Sequence, residues 1–218
     1  MKKIALIGAT GFVGSAILQE LQRRGHAVTA ISRNPQKTPA GEGVTARQAD
    51  VLDPDQVAQA VAGNDAVISA FNPGWSEPRL YELFLQGSLA ISEGVKRSGV
   101  KRLLVVGGAA SLFVAPGVQL IDTPDFASHV PANVIPGARA ARDALARLRG
   151  ESSLDWTFLS PPAMLAPGAR TGAYRVGGED LMMNGDQPAG ISVADLAVAI
   201  VDELEQPRHV RARFTVAS

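Results

Sequence analysis

The chain has 218 residues, 46% hydrophobic and 19% charged, with 21 basic and 21 acidic side chains and no cysteine. A chain of this length buries a sizeable core without cross-links, and the missing cysteines exclude disulfides, thiolate catalysis and sulfur-ligated metals. Zero formal net charge and the lack of any basic run argue against a nucleic-acid partner.

Lys3-Ile4-Ala5-Leu6-Ile7 has the length and apolar content of a buried parallel strand, and Val13, Ile17 and Leu21 then recur at helical spacing. Between them stands Gly8-Ala9-Thr10-Gly11-Phe12-Val13-Gly14, a strand-to-helix turn of the kind that binds dinucleotides. Gly8 allows the tight turn, Gly11 lets a pyrophosphate approach the backbone, and Gly14 lets helix and strand pack closely. The pyrophosphate is expected on the helix N-terminus, where free N–H groups and the macrodipole favour an anion.

The second strand, Ala27 to Ile31, ends in Ser32-Arg33-Asn34-Pro35, about 20 residues beyond the glycines, the offset at which the ribose is read. Arg33 stands where an acid would accept from an unmodified 2′-hydroxyl. A guanidinium there suits a 2′-phosphate, so NADP(H) is expected to be preferred over NAD(H). A third strand, Val44 to Ala49, runs into Asp50-Val51-Leu52, and Asp53-Pro54 opens a helix with an acidic cap and proline at its first position. Ala66 to Ala70 reads as a fourth strand. Leu80, Leu83, Phe84, Ile91 and Val95 mark a long helix, and Leu103 to Val106 a fifth strand. The prolines between Val114 and Pro136 suggest a long ordered loop. Helix is expected from Ala138 to Arg149, and a sixth strand at Trp156 to Leu159 ended by Pro161-Pro162. Ser192-Val193-Ala194-Asp195 reads as a capping box heading a helix that buries Leu196, Ala197, Ile200, Val201 and Leu204, and Arg213 to Val216 as the last strand. The alternation predicts one domain over 1–218, α/β, a Rossmann-type doubly wound parallel sheet with helices on both faces.

Met1-Lys2-Lys3 and the apolar residues after it resemble the start of a signal peptide, but glycines interrupt the run and no small-residue cleavage site follows. No apolar run reaches the length needed to cross a bilayer. A cytoplasmic protein without a membrane partner is expected.

Several stretches spread along the chain carry a family resemblance: Ile7 to Gly14 with its GxxGxxG spacing, Asp65 to Ala70, Arg102 to Ala109, Asp155 to Pro161 and Ile191 to Ala197. On these the chain resembles the atypical short-chain dehydrogenases/reductases. It is similar to the small proteins assigned as NADH-flavin reductases and to the NAD(P)-binding family that includes biliverdin/flavin reductases and nitrogen-repression regulators. The resemblance implies the fold and the cofactor; the reaction does not follow from it. Short-chain dehydrogenases place a tyrosine and a lysine four residues apart to pass a proton. Here neither Tyr81 nor Tyr174 has a lysine four residues on, and the helix reads Ala138-Arg139-Ala140-Ala141-Arg142-Asp143. Arginine cannot donate a proton at neutral pH.

A flavin or quinone spreads an added charge over its rings and can be protonated by solvent, so such an acceptor needs mainly stacking and orientation. The expectation is therefore an NADPH-dependent reductase of a small planar acceptor, with a flavin as substrate rather than as a tightly held group. A non-catalytic NADP(H) sensor is the alternative, and an epimerase-like enzyme lacks the acid/base pair it would need. The expected cofactor-binding residues are Gly8, Thr10, Gly11, Phe12, Val13, Gly14, Arg33, Asp50, Val51, Ala70, Phe71, Asn72, Gly107, Gly108 and Pro161, at the carboxyl ends of the strands. Phe71 reads as a cover for the cofactor or as core, and Gly107 and Gly108 as a close approach to the cofactor or as a flexible turn. The catalytic candidates are Ser111, orienting the acceptor or capping local backbone, and His129, a proton donor in a lid loop or a solvated histidine. Asp122 to Phe126 and Tyr174 are candidate pocket walls. His26 and His209 are expected on the surface, and no histidine–carboxylate cluster has metal-ligand spacing. Helix faces in this fold can pair, so a homodimer fits the pattern.

Overall fold

The computed structural model describes residues 1–39 and 41–218. In chain order the strands are β1 (Lys3–Ile7), β2 (Ala27–Ser32), β3 (Val44–Gln48), β4 (Ala66–Ser69), β5 (Arg102–Val106), β6 (Phe113–Ala115), β7 (Val118–Gln119), β8 (Asp155–Ser160), β9 (Met164–Ala166), β10 (Arg175–Gly177), β11 (Met183–Asn184), β12 (Gln187–Pro188), β13 (Gly190–Ser192) and β14 (Ala212–Ala217). The helices are α1 (Phe12–Arg23), α2 (Pro54–Val61), α3 (Leu80–Ser98), α4 (Phe126–His129), α5 (Ile135–Leu148) and α6 (Val193–Glu205).

Eight strands form the main sheet in the order β10-β14-β8-β5-β4-β1-β2-β3. All its neighbours run parallel except β10, which pairs antiparallel with β14. Strand alternation explains the two helix layers. Ile4 and Leu6 of β1 join Ile17 and Leu21 of α1 and Leu196 and Ile200 of α6 on one face. Ala5 and Ile7 join Val57 of α2 and Ile91 and Val95 of α3 on the other. This is the doubly wound Rossmann-like arrangement.

Local chemistry sets the helix ends. Asp53 caps α2, its Oδ1 accepting from the N–H groups of Asp55 (2.9 Å) and Gln56 (3.3 Å), with Pro54 just inside. Gly99 closes α3 in the left-handed region at φ +81°. Ser192 caps α6 through Asp195 N–H (3.0 Å). Asp195 does not return the bond as a capping box requires; its carboxylate instead takes the N–H groups of Thr171 (2.8 Å) and Gly172 (2.7 Å) and the Thr171 hydroxyl (2.7 Å).

The proline-rich stretch after β5 is not a plain loop. It holds the β6–β7 hairpin, a 3-10 turn at Leu120–Asp122 and the single-turn α4, and α5 begins at Ile135, ahead of the expected Ala138. A tertiary partner makes the difference: Phe113 N–H donates to Glu179 O (2.9 Å) and Leu181 N–H to Phe113 O (2.8 Å). Two histidines also depart from expectation. His26 is buried, its Nδ1 accepting from Lys2 N–H (3.2 Å), which leaves Nε2 to donate to Glu205 Oε1 (2.9 Å). His209 is half-buried, stacked on Phe214 with ring centroids 4.4 Å apart and bonded to Glu203 (2.8 Å).

Candidate functional site

The glycine turn joins β1 to α1 at the carboxyl edge of the sheet. Gly8 has φ +83°, and a Cβ there would lie 2.5 Å from Ala70 O. A Cβ on Gly14 would lie 1.9 Å from Gly8 O, so helix and strand meet at backbone distance. Gly11 differs: a Cβ would meet only Gly8 O, at 3.4 Å. The protein itself therefore does not forbid a side chain at Gly11, and the space beside it is open for a ligand. Gly11 is the N-cap of α1 without a side-chain cap, and the first turn carries no acid. Among the described residues no acceptor takes the N–H groups of Phe12, Val13 or Gly14. Unpaired donors at a helix start whose first turn carries no acid fit a pyrophosphate.

Arg33 follows β2, exposed, and its guanidinium makes no hydrogen bond or ion pair among the described residues. Only its carbonyl is engaged, accepting from Gln48 Nε2 (3.3 Å). Thr10 and Phe12 are likewise exposed at the turn, with Val13 half-buried.

Other expected residues have structural duties. Asp50 accepts from Leu52 N–H (3.0 Å), and Val51 is buried in the cluster that includes Val57 and Ala60. The Phe71 ring turns into α3, occupying the space where a Gly87 Cβ would sit (2.2 Å), with Phe84 6.1 Å away between ring centroids. The geometry thus follows its core reading. Asn72 Oδ1 accepts from Gly74 N–H (2.7 Å), shaping the turn after β4. Gly107 is required by packing, since a Cβ would lie 2.0 Å from the Phe158 ring, whereas Gly108 is unconstrained with Ala141 Cβ at 3.7 Å. Pro161 is buried at the end of β8.

Ser111 neither caps local backbone nor lies open. It is buried, and its Oγ accepts from Arg213 Nη1 (3.2 Å). His129 ends α4, exposed, with Nδ1 2.9 Å from Asp125 O. A carbonyl only accepts, so the ring donates from Nδ1 in this contact and Nε2 is left outside it. In the Asp122–Phe126 stretch, Asp122 pairs with Arg142 (3.6 Å) and Phe126 is buried. Tyr174 packs on the α1–α6 layer and donates to Asp202 (2.5 Å).

The two phenols show what proton chemistry the chain can do. Tyr81 donates to Asp143 on α5 (2.7 Å), and this bond to an anion raises its pKa. Burial, with the Asp202 carboxylate, pushes Tyr174 up as well. A short-chain dehydrogenase tyrosine needs a neighbouring cation that lowers it; both phenols here face carboxylates instead. Of the two arginines in the 138–143 stretch, Arg139 and Arg142, the second is bonded to Asp143 (2.9 Å).

Sequence reading missed a buried polar cluster beneath Ser111. The Arg213 side chain is fully buried, with Nη1 reaching Ser160 Oγ (3.5 Å) as well as Ser111, and Nη2 reaching the carbonyl (3.0 Å) and carboxylate of Glu179. The available signal was a cation in an otherwise apolar alternating strand.

A doubly wound sheet whose first strand-to-helix turn presents free N–H groups defines a nucleotide-binding α/β protein of the Rossmann type. The chain belongs to the NAD(P)H-binding family, whose model matches residues 8–207, and its fold is that of the atypical short-chain dehydrogenases/reductases. It is 41% identical to the uncharacterised protein YwnB of Bacillus subtilis, over 99% of this chain and 98% of YwnB. Among solved structures it resembles a Bacteroides thetaiotaomicron protein designated a "putative epimerase" (45% identity, 99% and 96% of the two chains, TM-score 0.90). It also resembles a Streptococcus pneumoniae protein designated a "putative NADH-flavin reductase" (35% identity, 100% of both chains, TM-score 0.85). Among the described residues no helix is long and apolar enough to cross a membrane.

Proposed function

We propose that this protein is an NADPH-dependent reductase of a flavin, quinone or similar planar acceptor. The observation that carries the reading is the pairing of an acid-free, uncapped α1 start with an Arg33 guanidinium that has no partner of its own among the described residues. The N–H groups of Phe12, Val13 and Gly14 would hold the pyrophosphate, and Arg33 the 2′-phosphate. Bound there, the cofactor would supply a hydride.

The state of the tyrosines supports the choice of acceptor. A simple ketone accepting hydride needs a proton source at the new alkoxide, and both phenols already donate to carboxylates and are weakened as acids, Tyr174 by burial and Asp202, Tyr81 by Asp143. A conjugated acceptor disperses the charge and takes its proton from water. The resemblance to the Streptococcus pneumoniae protein agrees with this reading.

The test is the rate of NADPH oxidation by the purified protein with a panel of free flavins and quinones. Saturable turnover is expected. Tight NADPH binding without turnover on any acceptor would overturn the reductase reading in favour of a cofactor sensor.

A further inference from the structure

We infer that Arg213 is a positioning residue that sets Ser111 as a hydrogen-bond donor to an anionic oxygen of the acceptor. The inference rests on the planar-acceptor reading above. Arg213 pairs with Phe158 in the β8–β14 register, and Thr215 with Ser160, so all four side chains share the sheet face covered by α5. The Phe158 ring fills the space left by Gly107, which places the guanidinium beneath the strand-end loop that carries Ser111.

A guanidinium donates and never accepts. Nη1 therefore takes a lone pair of Ser111 Oγ and of Ser160 Oγ, and both hydroxyl protons remain to be given away. Among the described residues neither hydroxyl donates to anything, Arg213 Nε has no partner, and Thr215 Oγ1 is buried without one. Glu179 is the carboxylate on Arg213, and the exposed Arg149 shares it (2.6 Å), so the buried cation is paired. What is left over is donor capacity, at Arg213 Nε and at the Ser111 hydroxyl, and the group that fits is an acceptor oxygen meeting Ser111, favoured when it is anionic.

The reductase reaction generates that group. A hydride carries two electrons and one proton to the acceptor and leaves the oxidised nicotinamide; the acceptor gains one negative charge, spread onto its conjugated oxygens, and then takes a proton from water. Ser111 donates to that oxygen, and the Arg213 cation bonded to the Ser111 lone pair strengthens the donor.

The prediction is tested without turnover, on NADP⁺-saturated protein. Neutral 1,4-naphthoquinone and 2-hydroxy-1,4-naphthoquinone, an anion at neutral pH, are titrated by fluorescence quenching. The wild type is expected to bind the anion about tenfold more tightly. Ser111→Ala and Arg213→Met should each erase that preference while keeping the affinity for the neutral quinone and for NADP⁺, and the double variant should lose nothing more. Thermal unfolding reports whether Arg213→Met folds; if it does not, Ser111→Ala decides alone. A preference that survives Ser111→Ala, or its absence in the wild type with both quinones bound, overturns the inference and leaves the acceptor reading standing. Binding of neither quinone by the wild type overturns the acceptor reading, and the inference with it.

Discussion

Replacing Arg33 with alanine should separate the two forms of the cofactor. The guanidinium holds no contact within the described residues, so truncation removes nothing from the fold, and the unfolding temperature without cofactor should stay within the scatter of a surface substitution. The binding loss should fall on the 2′-phosphate alone. A hydrogen bond between charged groups contributes roughly 1.5–3 kcal/mol. The side chain is exposed, so screening places the loss near the lower end, about 1.5–2 kcal/mol, or roughly 10- to 30-fold in Kd. Titration of intrinsic fluorescence with NADPH and with NADH should show that loss for NADPH and almost none for NADH. Raising the ionic strength from low to high should shrink the wild-type preference, because an exposed pair is screened over a Debye length of about 10 Å at 0.1 M. Equal losses for both cofactors, or a preference indifferent to salt, would refute the assignment.

Two glycines of the turn should respond differently to substitution. Gly11→Leu is expected to fold, since a Cβ there meets only Gly8 O at 3.4 Å, and to bind neither cofactor; a folded variant with unchanged affinity would remove the pyrophosphate from this turn. Gly14→Ala drives a Cβ to 1.9 Å from Gly8 O and should destabilise the fold by about 1–3 kcal/mol in denaturant titration. A pH-dependent stability should come from Glu20, buried between Arg170 and Arg24. The hydrogen bond from Arg170 lowers its pKa from 4.5 to about 2, against a desolvation penalty and with help from Arg24. A carboxyl depressed in the folded state stabilises above its unfolded pKa and stops doing so as pH falls through the folded one. Arg170→Ala should therefore lower stability modestly at pH 7, given that Arg170 is one-third exposed and one of three cations on Glu20, with Arg24 and Arg23. That difference should vanish between about pH 4.5 and pH 2; a constant difference in urea midpoint across the range would show that Arg170 acts by packing alone.

The glycine turn and the exposed Arg33 were legible because their signals are local. Gly8, Gly11 and Gly14 lie within one turn, the continuous apolar run before them and the 3.6 period after them stand out, and Arg33 occupies a fixed offset from them. Asp53 and Ser192 announced their helices for the same reason: a cap bonds to residues two or three positions away. The polar cluster around Ser111 was obscure because its contacts are distant. Ser111 meets Arg213 across |i−j| = 102, and Arg213 meets Glu179 across 34. His26 looks like a turn residue until Glu205, 179 positions on, is seen to bury it. Strands of two or three residues such as β6 and β7 have no period to read, and their pairing depends on the segment at Glu179–Leu181.

The position of β14 bears on how the chain reaches this state. β14 is the last strand in sequence yet lies between β8 and β10, and β10 has no other partner in the sheet. Until residues 212–217 dock, the apolar β8, Asp155–Ser160, presents an open row of backbone donors and acceptors, the kind of edge that recruits foreign strands. In the folded chain β14 seals β8, holds Arg213 beneath Ser111 and gives the short antiparallel β10 its place at the border. A chain stopped short of residue 212 would retain the β1–α1–β2 turn and carry a sticky flank, open to strands from other molecules.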